Sequence, residues 1–359
     1  MEKITGFFSP VMICLLILLL HLFLPARRVT GYATKTNSTQ KLKYRLNGIY
    51  VFFIVVVIWF LAGYFKIAAW DLLYIYRWYG LAGAFTFGII FTLAIVIPNP
   101  AVSNNFFKDF YLGRLENPQG WNNKIDAKMW LYLIGAILLA LNTLSFAAHH
   151  WMLYGINASA GIYLSAGLII YFVIDYLTFE EVHLYTYDII AEKVGFKLGW
   201  GCIAFYPYFY SIALWSTVDL PDPKTPVWLL VIYVLIFFTG WCLARGANMQ
   251  KYFFKKNSKK VFLGIVPESI TDGKNFLLVN GFWGLSRHIN YLGELLMGTG
   301  IALCVGHPFL IWPWLYPLYY IALLFPRQID DDKRCALKYG ELWKQYIHKV
   351  PYRIIPFIY

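Results

Sequence analysis

The chain reads as an all-α polytopic membrane protein of about ten transmembrane helices, closed by a polar C-terminal tail. Three observations predict this. Of 359 residues, 59% are hydrophobic and 14% charged, with a mean hydropathy of +0.55. Soluble domains already average near half apolar, so lipid must solvate most of this chain. Apolar runs recur along its whole length, most of them approaching the ~20 residues a helical span needs. The last stretch, Gly281–Tyr359, passes from apolar segments into a run dense in Arg, Lys, Asp, Trp and Tyr. It is too polar for lipid and too rich in aromatics and Pro for a disordered end.

Taken in order, apolar windows predict helices over 11–25, 47–65, 79–97, 129–148, 160–179, 198–216, 227–244, 291–306 and 309–325. The first is followed by Pro25-Ala26-Arg27-Arg28, which is no small-residue cleavage site, so it is expected to be retained. A shorter run, 276–286, is expected to be re-entrant or interfacial. No internal repeat and no separate soluble domain is visible; residues 1–359 read as one membrane-embedded domain, with N-terminal helices to 150 and a second half over 151–359.

The net charge of +12 raises nucleic acid as a partner, but the basic residues sit in short loops between apolar runs. Arg27, Arg28, Lys35, Lys41, Lys43 and Arg45 follow the first helix. Lys108, Arg114, Lys124 and Lys128 follow the third; Lys251, Lys255, Lys256, Lys259 and Lys260 follow the seventh. Even-numbered connections hold only Lys66, Arg77 and Lys224. This is positive-inside bias, which places the odd loops and the tail after Arg327 in the cytoplasm and predicts no nucleic-acid partner. The five cysteines show no CxxC spacing and read as buried small hydrophobes; no metal set is expected.

Polar residues among apolar ones are costly and mark candidate sites. Asp175, Glu180, Glu181 and Asp188 lie between two apolar runs, and at helical spacing Glu181, Tyr185 and Asp188 share a face. An acid beside an apolar cavity can hold a proton at neutral pH; otherwise these are solvated interfacial acids. Asn248, Lys251 and Lys255 share a face if the seventh helix continues, either as a snorkelling helix end or as a phosphate clamp. Arg287-His288-Ile289-Asn290-Tyr291 opens a further helix. Gly298-Thr299-Gly300 lacks the next glycine, where Leu303 stands, and follows no strand, which excludes a Rossmann site. In the tail, Asp330-Asp331-Asp332 is followed by Lys333 and Arg334, which disfavours a metal; with Trp343, Tyr346, Tyr352 and Arg353 it suits a nucleotide better.

GFWGLSRHINYLGELL, from Gly281, resembles the GWWG…RHxNYxGD segment of the membrane sterol reductases, which include sterol C14, C7 and C24(28) reductases and the lamin B receptor. The end, KRCALKYGELWKQYIHKVPYRIIPFIY, is similar to that family's C-terminal signature. Tyr44–Gly48, Asp109–Pro118, Thr186–Gly201 and Gly246–Lys251 resemble further family blocks in the same order. The resemblance implies about ten helices in an integral membrane protein of the bacterial inner membrane or endoplasmic reticulum. It also implies an NADPH site built from the last helices and the tail. Lys251 and Lys255 would hold phosphates; Trp283, Arg287, His288, Asn290 and Tyr291 would line the cavity; Arg327, Asp331, Tyr346 and Tyr352 would contact the nucleotide from the tail.

The implied reaction reduces a sterol carbon–carbon double bond, with Δ14 favoured over Δ7 and Δ24(28). The sterol would enter from membrane lipid, be protonated by Asp188, Glu181 or Tyr187, and then take a hydride. The aromatic faces of Tyr185, Phe205 and Tyr208 would steady the cation. The chain departs from the family's usual pattern at Pro326–Asp331, at Trp130–Tyr132 and at Gly199–Cys202. Two readings of other classes stand beside this one: an isoprenylcysteine carboxyl methyltransferase-like enzyme, against which Ile289 replaces a proline, and a non-catalytic sterol-binding protein.

Overall fold

The computed structural model describes residues 2–34 and 39–359; Lys35 lies outside them. The chain is 66% helical. Among the described residues, five stretches are long and apolar enough to cross a membrane: Glu2–Phe23, Arg77–Val96, Ala127–Asn157, Ala160–Thr178 and Val227–Lys256. Gly48–Tyr64 and Ile289–Cys304 are apolar but shorter. The chain divides into two compact units, Met1–Asp222 and Pro223–Tyr359.

In the first unit the Ala127–Tyr154 helix is central. Leu131–Leu141 is apolar on every face, and a helix of that kind belongs in an interior. Every residue from Leu133 to Thr143 is buried. The Glu2–Phe23, Gly48–Tyr64 and Ala160–Thr178 helices pack around it. The end of the Glu2–Phe23 helix leaves carbonyls without intrahelical partners. Arg45 donates to His21 O (3.0 Å) and Leu22 O (3.2 Å), and Asn47 Nδ2 donates to His21 O (3.1 Å).

The expected helix over 198–216 is broken. It runs as Phe196–Trp200, a wide π turn at Gly201–Phe205, Tyr206–Phe209 and Ile212–Trp215. Pro207 is the cause: it offers no N–H, and its ring crowds the carbonyl four residues back. Asn142 Nδ2 donates to the Pro207 carbonyl at 3.0 Å.

The chain is also not purely α. Antiparallel pairs join Arg27–Thr34 to Lys41–Leu46, Gln119–Gly120 to Ile125–Asp126, and Ser269–Thr271 to Phe276–Leu278. In the first, Leu42, Tyr44 and Leu46 are buried while Lys41 and Lys43 are exposed, the period-2 pattern of a strand with one buried face. In the third, Asp272 Oδ1 accepts from the Lys274 and Asn275 amides, and Gly273 takes φ +87° to close the turn. Residues 276–286 therefore form a strand and the one-turn helix Phe282–Leu285 rather than a single apolar segment.

In the second unit, Val227–Lys256 is one 30-residue helix that Ile289–Cys304 packs along. A Cβ on Gly293 would meet Ala244 N and Gly240 O at 2.5 Å, so only glycine permits this approach. The Ile311–Tyr339 helix runs on through Pro326 instead of ending near 325. Its buried positions Tyr316, Tyr320, Leu324 and Gln328 keep a one-turn spacing past the apolar run, so one face stays packed after the sequence turns polar. The tail is ordered: Trp343, Tyr346 and Val350 form a core with Ile270, Leu277, Val279, Cys335 and Tyr339. The backbone then returns so that Arg353 and Ile354 N–H both donate to Tyr359 O, at 2.7 and 2.9 Å.

Candidate functional site

Within the second unit, the helix start at Ile289 and the tail after Val350 lie side by side. Arg287 N–H donates to Tyr352 O at 2.9 Å, and His288 N–H to Arg353 O at 2.7 Å. The Arg287 guanidinium, 4% exposed as a residue, donates to Val350 O (3.0 Å) and Pro351 O (2.9 Å). It also lies 3.4 Å from Asp332 Oδ2, with Arg353 Nε 3.5 Å from the same oxygen. His288 Nε2 is 3.9 Å from Asp332 Oδ1, and its ring stacks on Tyr291. Burial would raise the Asp332 carboxyl, but neighbouring His288 and Arg287 outweigh it and hold the group below the usual range.

The expected Lys251 and Asp331 come together here. Both act electrostatically on the Cys335 thiol, as do Asp332 and Lys338, while burial pushes that thiol up to about 12. Lys255, exposed at the end of the Val227–Lys256 helix, feels the charges of Lys251 and Lys338. The helix continues through Asn248, Lys251 and Lys255, so the shared face expected from their spacing exists. Lys251 Nζ lies over the Trp283 ring at 5.3 Å, and the indole N–H donates to Ala247 O at 2.8 Å. Tyr346 is buried, its hydroxyl donating to Trp283 O at 3.3 Å. Tyr352 is half-buried against Phe357, and Arg327 is half-buried on the long helix.

Four buried polar atoms in this cluster have no hydrogen-bond partner: Arg287 Nε, His288 Nε2, Asn290 Oδ1 and Asp332 Oδ1. Buried polar groups are almost always satisfied, so such a gathering fits a ligand rich in polar atoms. With Lys251, Lys255, Lys338 and an indole face beside it, the set fits a phosphate-bearing nucleotide.

Asp332, next to the expected Asp331, is the carboxylate that meets Arg287. The signal was the buried spacing Leu324–Gln328, which reaches 332 one turn later, and it was hidden because the helix was expected to end. Lys128 was also misjudged. It reads as a loop cation but is 0% exposed, its Nζ donating to Ile189 O at 2.7 Å, and it acts electrostatically on Asp188.

In the first unit, Glu181, Tyr185 and Asp188 do not share one helix face. Glu180–His183 and Tyr187–Ala191 are separate short helices with a turn between them. Glu181 pairs with Arg27 at 2.8 Å. Asp188 lies near enough to Lys128, to the half-buried Tyr176 and to the buried Cys202 to act on each. Tyr208 is buried in a core with Leu131, Leu198 and Cys202, and Phe205 stacks on Phe209. Glu180 is the more deeply held acid: it accepts from the Gly48 amide at 3.0 Å, and burial raises its carboxyl to about 7.

Residues 5–359 match the ergosterol biosynthesis ERG4/ERG24 family. The chain belongs to that family. It is 34% identical to the Delta(14)-sterol reductase of Arabidopsis thaliana over 94% of this chain and 91% of that one. It is 31% identical to the Delta(14)-sterol reductase of Methylotuvimicrobium alcaliphilum, over 95% and 80%. It is 31% identical to the 7-dehydrocholesterol reductase of Xenopus laevis, over 94% and 77%. The resemblance drawn from the ordered blocks is therefore correct.

Several ERG4/ERG24 blocks have structural work in this chain. In Tyr44–Gly48, Arg45 and Asn47 close the first helix, as described, and Gly48 anchors Glu180. In Asp109–Pro118, Asp109 accepts from the Val102 and Ser103 amides at 3.0 Å each and from Arg114 Nε at 2.9 Å. Arg114 in turn donates to Val96 O at 2.9 Å, closing the Arg77–Val96 helix. Gly113, at φ +94°, lies so close to Gly195 of the Thr186–Gly201 block that a Cβ on Gly195 would sit 2.2 Å from Gly113 N.

Proposed function

We propose that the protein is an NADPH-dependent sterol reductase that acts on the Δ14 double bond. What carries this reading is similarity along nearly the full length to proteins named Delta(14)-sterol reductase from a plant and a bacterium. The relative named 7-dehydrocholesterol reductase makes Δ7 the second reading. The enzyme is integral to the membrane with its tail on the cytoplasmic side, as the basic odd-numbered loops favour.

The proposed cofactor residues are those of the second-unit cluster. Lys251 and Lys255 meet phosphates as point charges, and the Arg287, His288 and Asn290 atoms without partners meet polar atoms of the nucleotide. Asp331 and Arg327 take ribose and phosphate oxygens. Trp283, Tyr291, Tyr346 and Tyr352 supply flat faces. Bound NADPH supplies a hydride.

An isolated alkene is not polarised, so a side chain must first give one carbon a proton. Asp188 is the proposed donor, with Tyr187 beside it in sequence and Lys128 orienting its carboxyl. Glu181 is the weaker candidate, being engaged by Arg27. Tyr185, Phe205 and Tyr208 present the faces that would steady a carbocation, by roughly 1–2 kcal/mol each.

The test is conversion. Purified protein in liposomes, given NADPH and Δ14-, Δ7- or Δ24(28)-sterols, is followed by mass spectrometry. A two-hydrogen gain on the Δ14-sterol alone supports the reading, and a gain on the Δ7-sterol instead moves it to the second. Failure on all three, with NADPH bound, removes it.

A further inference from the structure

The first unit holds a cavity that the mechanism does not use. Its volume is about 660 Å³, within the range of single-ligand sites. Its floor is Leu144, Ala147 and Ala148; its walls are Trp59, Trp70, Trp151, Met152 and Tyr163. The walls are built in place. Trp59 Nε1–H donates to Trp70 O at 3.2 Å, and Trp70 Nε1–H to Phe60 O at 3.1 Å. The absence of a side chain at Gly63 lets the Trp70 indole lie on that helix, since a Cβ there would sit 2.0 Å from Nε1. Asp71, next to Trp70, is held by His149 Nδ1 at 2.9 Å, and His149 follows the two floor alanines. Trp151 and Met152 are half exposed at the rim, which opens the cavity outward.

One polar atom is out of place in this surround. The Tyr163 hydroxyl is buried and has no hydrogen-bond partner. Leaving a buried hydroxyl without a partner is destabilising, so it points to a ligand that supplies one. The lining holds no Lys or Arg, which disfavours a phosphate headgroup. Rigid indoles over a floor of small residues suit a flat ring system better than a flexible acyl chain. The ligand chemistry is a polycyclic lipid with a single hydroxyl.

The cavity is also in the wrong place to be where reduction occurs. Tyr163 stands near the start of the Ala160–Thr178 helix, and the acid cluster begins after its end. Fifteen residues of helix rise place Thr178 about 22 Å from Tyr163.

We propose that this cavity is a second, non-reducing sterol site. The choice of a sterol rests on the reductase reading; the existence of the site does not. The test uses the full chain in liposomes with two clickable diazirine probes, one a 3-hydroxysterol and one a phosphatidylcholine. Labelled peptides are identified by mass spectrometry without any turnover. The expected result is sterol labelling at Trp151–Met152 or Trp59 that unlabelled 3-hydroxysterol competes away and a 3-deoxysterol competes at least five-fold less well. Ala148→Phe, which fills the floor, should cut that labelling at least ten-fold while NADPH binding is unchanged. Tyr163→Phe, a milder change, should erase the preference for the hydroxyl. Equal labelling by the phospholipid probe without sterol competition, or an unchanged hydroxyl preference in Tyr163→Phe, overturns the proposal. Loss of turnover with labelling intact would sink the reductase reading and leave this site standing.

Discussion

Asp332 stands 3.4 Å from Arg287, although the two are separated by 45 residues, a loop and two helices. The side chain of Arg287 is 3% exposed and that of Asp332 15%, so the two charges meet in a partly dry setting, with His288 and Arg353 also beside the carboxylate. Removing one partner of such a pair strands the other. Asp332→Asn should lower stability by about 2 kcal/mol at pH 7, less than a fully buried pair would lose because Arg353 and solvent still reach the site. The folded carboxyl titrates below its ordinary value, so its contribution is present above pH ~4 and is lost as pH falls through the depressed value. Thermal melts of the two proteins should differ at pH 7 and converge as pH falls through the depressed carboxyl value. A gap that persists at low pH would mean the pair is not its source.

Glu180 runs the other way. Its folded carboxyl is raised to about 7, by burial, above the ordinary ~4.3 of a free glutamate. The unfolded chain therefore gives up this proton first, and stability falls as pH rises from about 4.5 to about 7. Glu180→Gln keeps an oxygen for the Gly48 amide and removes the titration. Relative to the parent, it should gain up to about 3 kcal/mol between pH 5 and pH 8. Melting curves across that interval decide it; a flat difference would contradict the raised carboxyl.

Several apolar helices were legible because length and hydropathy alone locate them: 47–65, 79–97 and 160–179 agree with the helices to within two residues. What stayed hidden was whatever depends on a partner distant in sequence. Pro207 breaks a run that hydropathy reads as continuous, while Pro326 leaves its helix intact because the packed face continues beyond it. The buried state of Lys128 depends on the Ile189 carbonyl, 61 residues away. Which of Asp331 and Asp332 meets Arg287 depends on the helix continuing past Pro326 with its buried face intact, and hydropathy does not report that.

The close approach of Gly293 to Ala244 and Gly240 gives a packing test that needs no substrate. Gly293→Ala places a methyl 2.5 Å from backbone atoms, which cannot rotate aside, and should lower stability by about 2–3 kcal/mol. Gly167→Ala is the matched control. Its Cβ meets nothing within 4 Å, and helix propensity alone should raise stability by up to about 1 kcal/mol. Equal effects from the two would mean the 240/293 contact is looser than described.

Lys251 lies over the Trp283 ring at 5.3 Å and shares its surroundings with Lys338 and Asp331. Charge-assisted bonds to phosphate are worth about 1.5–3 kcal/mol. Lys251→Gln should therefore raise KM for NADPH at least ten-fold while kcat falls less than three-fold, and Trp283 fluorescence quenching by NADPH should shift to higher concentration. An unchanged KM would remove Lys251 from the cofactor set.

Three substitutions separate the candidate proton donors. Asp188→Asn keeps the shape of the side chain and its neighbours Lys128 and Tyr176 but removes the acidic proton. If Asp188 is the donor, kcat should fall by about 10²–10⁴, the usual worth of a positioned acid, with NADPH affinity unchanged. Tyr187→Phe should cost less than ten-fold if the phenol only orients. Glu181→Gln should leave kcat within two-fold, because the ion pair it breaks is with Arg27, whose side chain is 66% exposed. Single-turnover reduction in D₂O reads the same step directly, since the carbon that accepts the proton becomes deuterated. Full turnover in Asp188→Asn together with collapse in Glu181→Gln would transfer the role to Glu181 and make its pairing with Arg27 part of the catalytic cycle.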